Sequence, residues 1–357
     1  MFRQLIPLLA AVLALQLIFR YGLPYIWWDG RALFHCWPGI SMFWQPENQL
    51  DIMQQISINA ILAFGMTLTI LIGGIDLSVG AVLALVGTTA VSFLADSKAP
   101  NSGSLAIGLL AGLGAAGVLG LFNGLCAAKT KMPAFIITLA IMLIARGAAL
   151  RFNEGRPMHV PENETVFLAL GNLRLNLLPF NLKGVLTSWA DQGGQWAAQL
   201  VGYFGSMPLP VLIMLGLFLL AALLLHRTRF GQHIYAMGGN REAARFTGIP
   251  LVRVEVLVYM ICSLLAGVAG LINTSQLYSA EPASGVGFEL NAIAAAVVGG
   301  TSFTGGKGTM VGTLIGAVII GILDKGLNQA GVHFSLQYVV KGLVILGAVY
   351  VDVRRRK

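Results

Sequence analysis

Charged side chains are scarce in this sequence. Asp, Glu, Lys and Arg make up 11% of its 357 residues, whereas 56% are hydrophobic and the mean hydropathy is +0.78. A soluble fold of this length needs far more polar surface, so a soluble class is excluded. Cysteine is also scarce. Cys36, Cys126 and Cys262 have neither metal-binding nor redox spacing, and they imply no disulfide framework. The five histidines are scattered, and no paired carboxylates, His/Cys cluster or nucleophile–base arrangement appears. No catalytic or metal site is expected. The alternation of apolar and polar residues that marks barrel strands is missing as well, which argues against a β-barrel. The net charge of +8 is no nucleic-acid signal, because the basic residues fall mainly in loops on one face.

What is present is glycine, 44 residues of it, in long apolar runs. Small residues of this kind let transmembrane helices approach closely. A crossing needs about 20 mostly apolar residues. The runs predict an all-α integral membrane protein with about ten transmembrane helices, near 4–24, 54–74, 77–96, 104–127, 133–150, 208–226, 254–274, 287–303, 308–324 and 336–352. The first run, from Met1 to Phe19, lacks a small-x-small cleavage site and reads as an uncleaved span. Chain 1–357 reads as a single transmembrane domain.

Orientation follows from Lys and Arg. With the N-terminus cytoplasmic, 13 of the 23 basic residues lie inside, among them Arg227, Arg229, Arg241, Arg245 and the Arg354-Arg355-Arg356-Lys357 tail. Eight lie outside, four of them in one long outer loop, 151–207, and Arg146 and Lys341 sit near span ends where they can snorkel. An even span count places both termini in the cytoplasm. The Asn163-Glu164-Thr165 sequon is read as chance.

The segment RTRFGQHIYAMGGNREAARFTG, 227–248, stands out as a basic, glycine-punctuated island between two apolar spans. It reads as a short docking helix, Asn240-Arg241-Glu242-Ala243-Ala244-Arg245, set between turns within a cytoplasmic loop 226–253. Two glycine turns carry further punctuation. In one, Gly73, Gly74 and Gly80 surround Asp76 and Ser78; the residue types predict a tight turn with Asp76 or Ser78 capping the next helix. In the other, Gly299, Gly300 and Gly306 repeat the spacing of Gly73, Gly74 and Gly80. Gly305-Gly306-Lys307-Gly308 is not a nucleotide-binding loop, since it lacks the Lys-Ser/Thr ending. Energy from ATP, if used, must therefore come from a partner. Among polar residues inside spans, Ser and Thr can bond to their own helix. Asn59, Asn123 and Asn291 must either bridge helices or line a wet path. Uncharged amides suit a neutral polyol better than an ion, and no chain of intramembrane carboxylates suggests a proton relay.

Four blocks in order, at 65–85, 131–147, 226–249 and 278–321, closely resemble permease subunits of bacterial ABC sugar importers of the ribose type, a group that also serves xylose, galactose, rhamnose and autoinducer-2. The resemblance covers about residues 50–352. The Trp-rich segment 27–44 and the outer loop 151–207 are longer than the family pattern. The resemblance implies an inner-membrane, multi-pass permease that pairs with a second copy or homologue. It also implies two cytoplasmic ATPase subunits, which bind ATP and Mg²⁺, and a periplasmic sugar-binding protein. Gly238 to Gly248 matches the family's ATPase-coupling helix, with Ala243 and Ala244 giving close approach and Arg241 and Arg245 meeting an acidic rim. Other than these proteins and membrane lipid, no partner is implied, and no cofactor on this chain. Branched-chain amino-acid permeases of the same importer class are the nearest alternative. An ion-driven secondary transporter is a further one.

Overall fold

A computed structural model describes residues 2–21, 27–28, 31–32, 46–95, 102–130, 132–177, 205–329 and 331–354. Cys36, Pro179 and Lys183, and most of the Trp-rich segment, lie outside the described residues. The long apolar runs fold as helices because only a helix satisfies every backbone N–H and C=O within one segment away from water. In chain order they are α1 (Phe2–Tyr21), α2 (Pro46–Leu71), α3 (Val79–Ala95), α4 (Ser102–Lys129), α5 (Ala134–Arg151), α6 (Thr165–Asn172), α7 (Leu209–Arg227), α8 (Arg229–Gly239), α9 (Arg241–Phe246), α10 (Leu251–Gln276), α11 (Phe288–Val298), α12 (Met310–Gln329) and α13 (Phe334–Arg354). Six of them are long and apolar enough to cross a membrane: α2, α4, α5, α7, α10 and α12. α1, α3, α11 and α13 contribute shorter apolar stretches.

α2 and α10 form the centre. α2 is buried from Ile56 to Leu71 except at Asn59, and α10 packs along α4, α2 and α3. Small residues set that packing: Gly120 and Gly124 of α4 lie against the α10 backbone at Met260 and Val256. In contrast, α5 buries one stripe, Ile137, Thr138, Ile141, Ala145 and Ala149, and turns Phe135, Leu139 and Leu143 outward. Apolar side chains facing outward are what a helix surrounded by acyl chains presents.

The expected span 287–303 is shorter in the structure. α11 has only 11 residues, about 16 Å at 1.5 Å per residue, too short for a hydrocarbon layer of about 30 Å. Irregular backbone flanks it, at 281–287 and 299–309. That backbone is satisfied internally: Thr301 N donates to Ala296 O, Ser302 N to Lys307 O and Gly305 N to Ser302 O. Non-helical backbone at membrane depth is tolerated where protein buries it. α3 follows a similar irregular stretch, 72–78.

Short antiparallel pairings gather at the end of α10 remote from α9. Met158–His159 pairs with Ser279–Ala280, and Arg174–Leu175 with Met207–Pro208. The 26 residues of α10, about 39 Å, separate this end from α9. Within the described part of 151–207, α6 is a short helix of eight residues.

Candidate functional site: the α7–α10 loop and its glycine junction

The basic island folds into α8 and α9. Thr228 caps α8, its Oγ1 accepting from Gly231 N at 3.3 Å. Asn240 is extended, φ −155° and ψ 105°, and its Oδ1 accepts from Ala243 N at 3.0 Å, which starts α9. Gly248, at φ +82°, ends it. Both boundaries thus come from residues whose chemistry suits them: an Asn side chain that replaces a missing helical acceptor, and a glycine free to turn left-handed. On this six-residue helix Ala244 is buried, while Glu242, Ala243 and Arg245 are exposed.

Arg241 is half-exposed and already engaged within the chain. It folds back on α10, where Nη2 lies 2.5 Å from Glu255 Oε2 and Nη1 lies 3.4 Å from Oε1. Glu255 is nearly buried, with 7% of its side chain exposed against 47% for Arg241. A buried carboxylate needs a cation close by, and this need turns Arg241 inward.

Gly238 touches the membrane body directly. A Cβ there would lie 1.7 Å from Leu71 O and 2.5 Å from Gly306 N, so no other residue fits without moving backbone. Gly306 N in turn donates to Leu71 O at 2.9 Å. The α7–α10 loop, the α2–α3 turn and the α11–α12 turn therefore meet backbone to backbone. Tyr235 strengthens the junction, its OH donating to Gly308 O at 2.7 Å, and burial pushes this phenol up to about 12. A cleft of about 300 Å³ opens beside it, lined by Ile72, Gly73, Gly74, Ala127, Arg241 and Glu255 among others.

The two glycine turns resemble each other in more than one register. Gly73 (φ +82°) donates to Ile70 O after α2 as Gly300 (φ +90°) donates to Val297 O after α11, and Gly305 shares the same left-handed backbone at φ +83°. Shifted by 232 positions, ten of the 28 residues from Asn59 to Val86 recur, including Asn59/Asn291, Gly73/Gly305, Gly74/Gly306 and Gly80/Gly312. Gly299 and Gly300 terminate α11, Gly299 as its C-cap and Gly300 at φ +90°.

The remaining polar groups lie deeper. Asp76 Oδ1 accepts from Ser78 N at 2.9 Å and Ser78 Oγ at 2.5 Å, and Asn123 Nδ2 donates to the same Ser78 Oγ at 3.0 Å. Asp76, Ser78 and Asn123 are fully buried, so the arrangement ties the α2–α3 turn to α4. Asn59 and Asn291 are part-buried on α2 and α11. Arg146 and Lys341 do not snorkel. Arg146 Nη1 donates at 2.6 Å to both Pro282 O and Ser284 O, holding the 281–287 turn against α5, and Lys341 pairs with Asp324 at 3.0 Å. Sequence reasoning missed Glu255 as the partner of Arg241. Its only signal was a lone carboxylate at the start of an apolar run.

A many-helix membrane body carrying an anchored, exposed loop helix defines a polytopic membrane protein, and comparison with known proteins makes the class specific. Residues 48–349 match the family described as branched-chain amino acid transport system / permease component. The chain is 42% identical over 319 residues to the ribose import permease protein RbsC of Escherichia coli K12, covering 88% of each chain. It is 42% identical over 310 residues to RbsC of Bacillus subtilis 168, covering 87% of this chain and 86% of that one. The xylose transport system permease protein XylH of E. coli K12 is 34% identical over 352 residues, covering 90% and 88%. The chain belongs to this permease family and is a multi-pass membrane protein.

Proposed function

We propose that the chain is the membrane-spanning subunit of an ATP-binding-cassette importer that translocates a monosaccharide delivered by a periplasmic binding protein. The observation that carries this reading is α9: a short helix, capped by Asn240, held by Arg241–Glu255, and exposed at Glu242, Ala243 and Arg245. Such a helix is positioned to receive force from a separate protein and pass it through Gly238 to the α2–α3 and α11–α12 turns. A similar push would switch the permease between outward- and inward-facing states.

In this reading the chain is one permease domain of about ten crossings in the bacterial inner membrane, one of them, at 281–309, built from the short α11 and its irregular flanks. Both termini and the 226–253 loop are cytoplasmic, and the 151–207 loop faces outside. It pairs with a second copy or homologue. ATP and Mg²⁺ are bound by the ATPase partners, not by this chain. Asn59, Asn123 and Asn291 are the amides proposed for the path, with Asn123 reaching it through the Ser78 network. The sugar class rests on the ribose and xylose permeases, to which the chain is 42% and 34% identical. The family description names branched-chain amino acids and supports a second reading, in which the cargo is a zwitterion.

Affinity purification of the full chain from its native membrane, with identification of co-purifying proteins, tests the class. Recovery of an ABC ATPase with wild type, and its loss in Ala243→Arg at unchanged membrane insertion, is the expected result. A chain that purifies alone under gentle conditions contradicts it.

A further inference from the structure

The ring of Phe246 is 87% exposed. Leu110, Leu143 and Leu346, also highly exposed, lie on apolar helices suited to an acyl environment, whereas Val166 and Val286 lie on α6 and in the 281–287 turn. Phe246 lies instead at the end of a six-residue helix whose other exposed residues are polar or small: Arg241, Glu242, Ala243 and Arg245. An aromatic ring left in water on a polar helix gains nothing for this chain's own fold, but removal of that surface from water on binding is favourable.

We infer that Phe246 is the apolar anchor of the surface that receives the ATPase subunit, and that the pocket it fills on that partner is apolar with a carboxylate rim. This inference rests on the importer reading above. The ring is rigidly presented, because Asn240 caps one end of α9, Gly248 closes the other and Arg241 is fastened to Glu255. With Arg241 tied to Glu255, the ring is the large apolar group presented at the tip of the helix. Arg227, Arg229, Arg245, Arg253 and Lys307 are all exposed in the same loop and the facing α11–α12 turn, against one exposed acid, Glu242. That excess of positive charge selects an acidic rim and steers the encounter, while a buried aromatic at the centre supplies the slow dissociation.

The test uses the full chain in lipid nanodiscs and the purified ATPase that co-purifies with wild type, with binding followed by biolayer interferometry. Phe246→Ala should weaken binding about 30-fold or more, mostly through faster dissociation, as expected for an aromatic hot spot. Phe246→Trp should stay within a few-fold, and raising NaCl should slow association in both. Thermal unfolding should change little, since Phe246 is 87% exposed. Phe246→Ala binding within threefold of wild type overturns the anchor. If Ala243→Arg then still abolishes binding, the docking-helix reading stands without Phe246; if neither substitution matters, both fall.

Discussion

Removing Arg241 should loosen α9 far more than removing the charge of its partner. The pair joins a side chain 47% exposed to one only 7% exposed. Breaking a fully buried pair by deleting one partner costs roughly 3–5 kcal/mol, whereas exposed pairs are worth about 0–1 kcal/mol. With one partner in each regime, Arg241→Ala should cost about 2 kcal/mol, because it strands the Glu255 carboxylate among apolar neighbours. Glu255→Gln strands only a guanidinium that can turn to water, so its cost should be about 0.5 kcal/mol. The difference is readable as amide exchange over 241–248 in nanodiscs. A 2 kcal/mol loss of local stability speeds exchange about 30-fold, and 0.5 kcal/mol about twofold. The double replacement Arg241→Glu with Glu255→Arg should recover part of the protection. Equal exchange in the two single variants, or no change in Arg241→Ala, would refute the claim that this ion pair anchors the helix.

Gly238→Ala should abolish transport and lower thermal stability, since its Cβ would lie 1.7 Å from Leu71 O and relief requires backbone movement of about 3 kcal/mol; a differential scan with an uptake assay checks both. Tyr235 makes a pH-dependent contribution. Its phenol is raised from 10 to about 12, so the folded state holds the proton more tightly than the unfolded chain. That contribution is complete below pH 10 and is lost as pH rises from 10 through 12. Tyr235→Phe should remove this part of the alkaline sensitivity and about 1 kcal/mol of hydrogen bonding, measured as unfolding temperature against pH.

Much of the fold was legible because a membrane imposes a length and an apolar composition on each span. Runs such as 208–226 and 254–274 lie within two or three residues of α7 and α10. Legibility failed where tertiary contact decides. α2 begins at Pro46, eight residues before its apolar run, because polar residues such as Asn48 and Gln54 find partners in neighbouring elements. α11 stops at Val298 since the glycines that follow bury irregular backbone, which no apolar count detects. In the loop, the Asn240 cap and the Gly248 stop were readable from residue type. The direction of Arg241 was not, because its partner lies 14 residues on, within what reads as an apolar span. The left-handed backbone that Gly73 shares with Gly300 and Gly305 was likewise visible only in the structure.

The central claim is that this chain imports a sugar by ATP hydrolysis on a partner. Proteoliposomes containing the full chain, its co-purifying ATPase and the matching binding protein loaded with radiolabelled pentose test it most directly. The account predicts uptake that requires both ATP and the binding protein, and that is lost in Gly238→Ala. Uptake by the chain alone, driven by an ion gradient and indifferent to ATP, would contradict it.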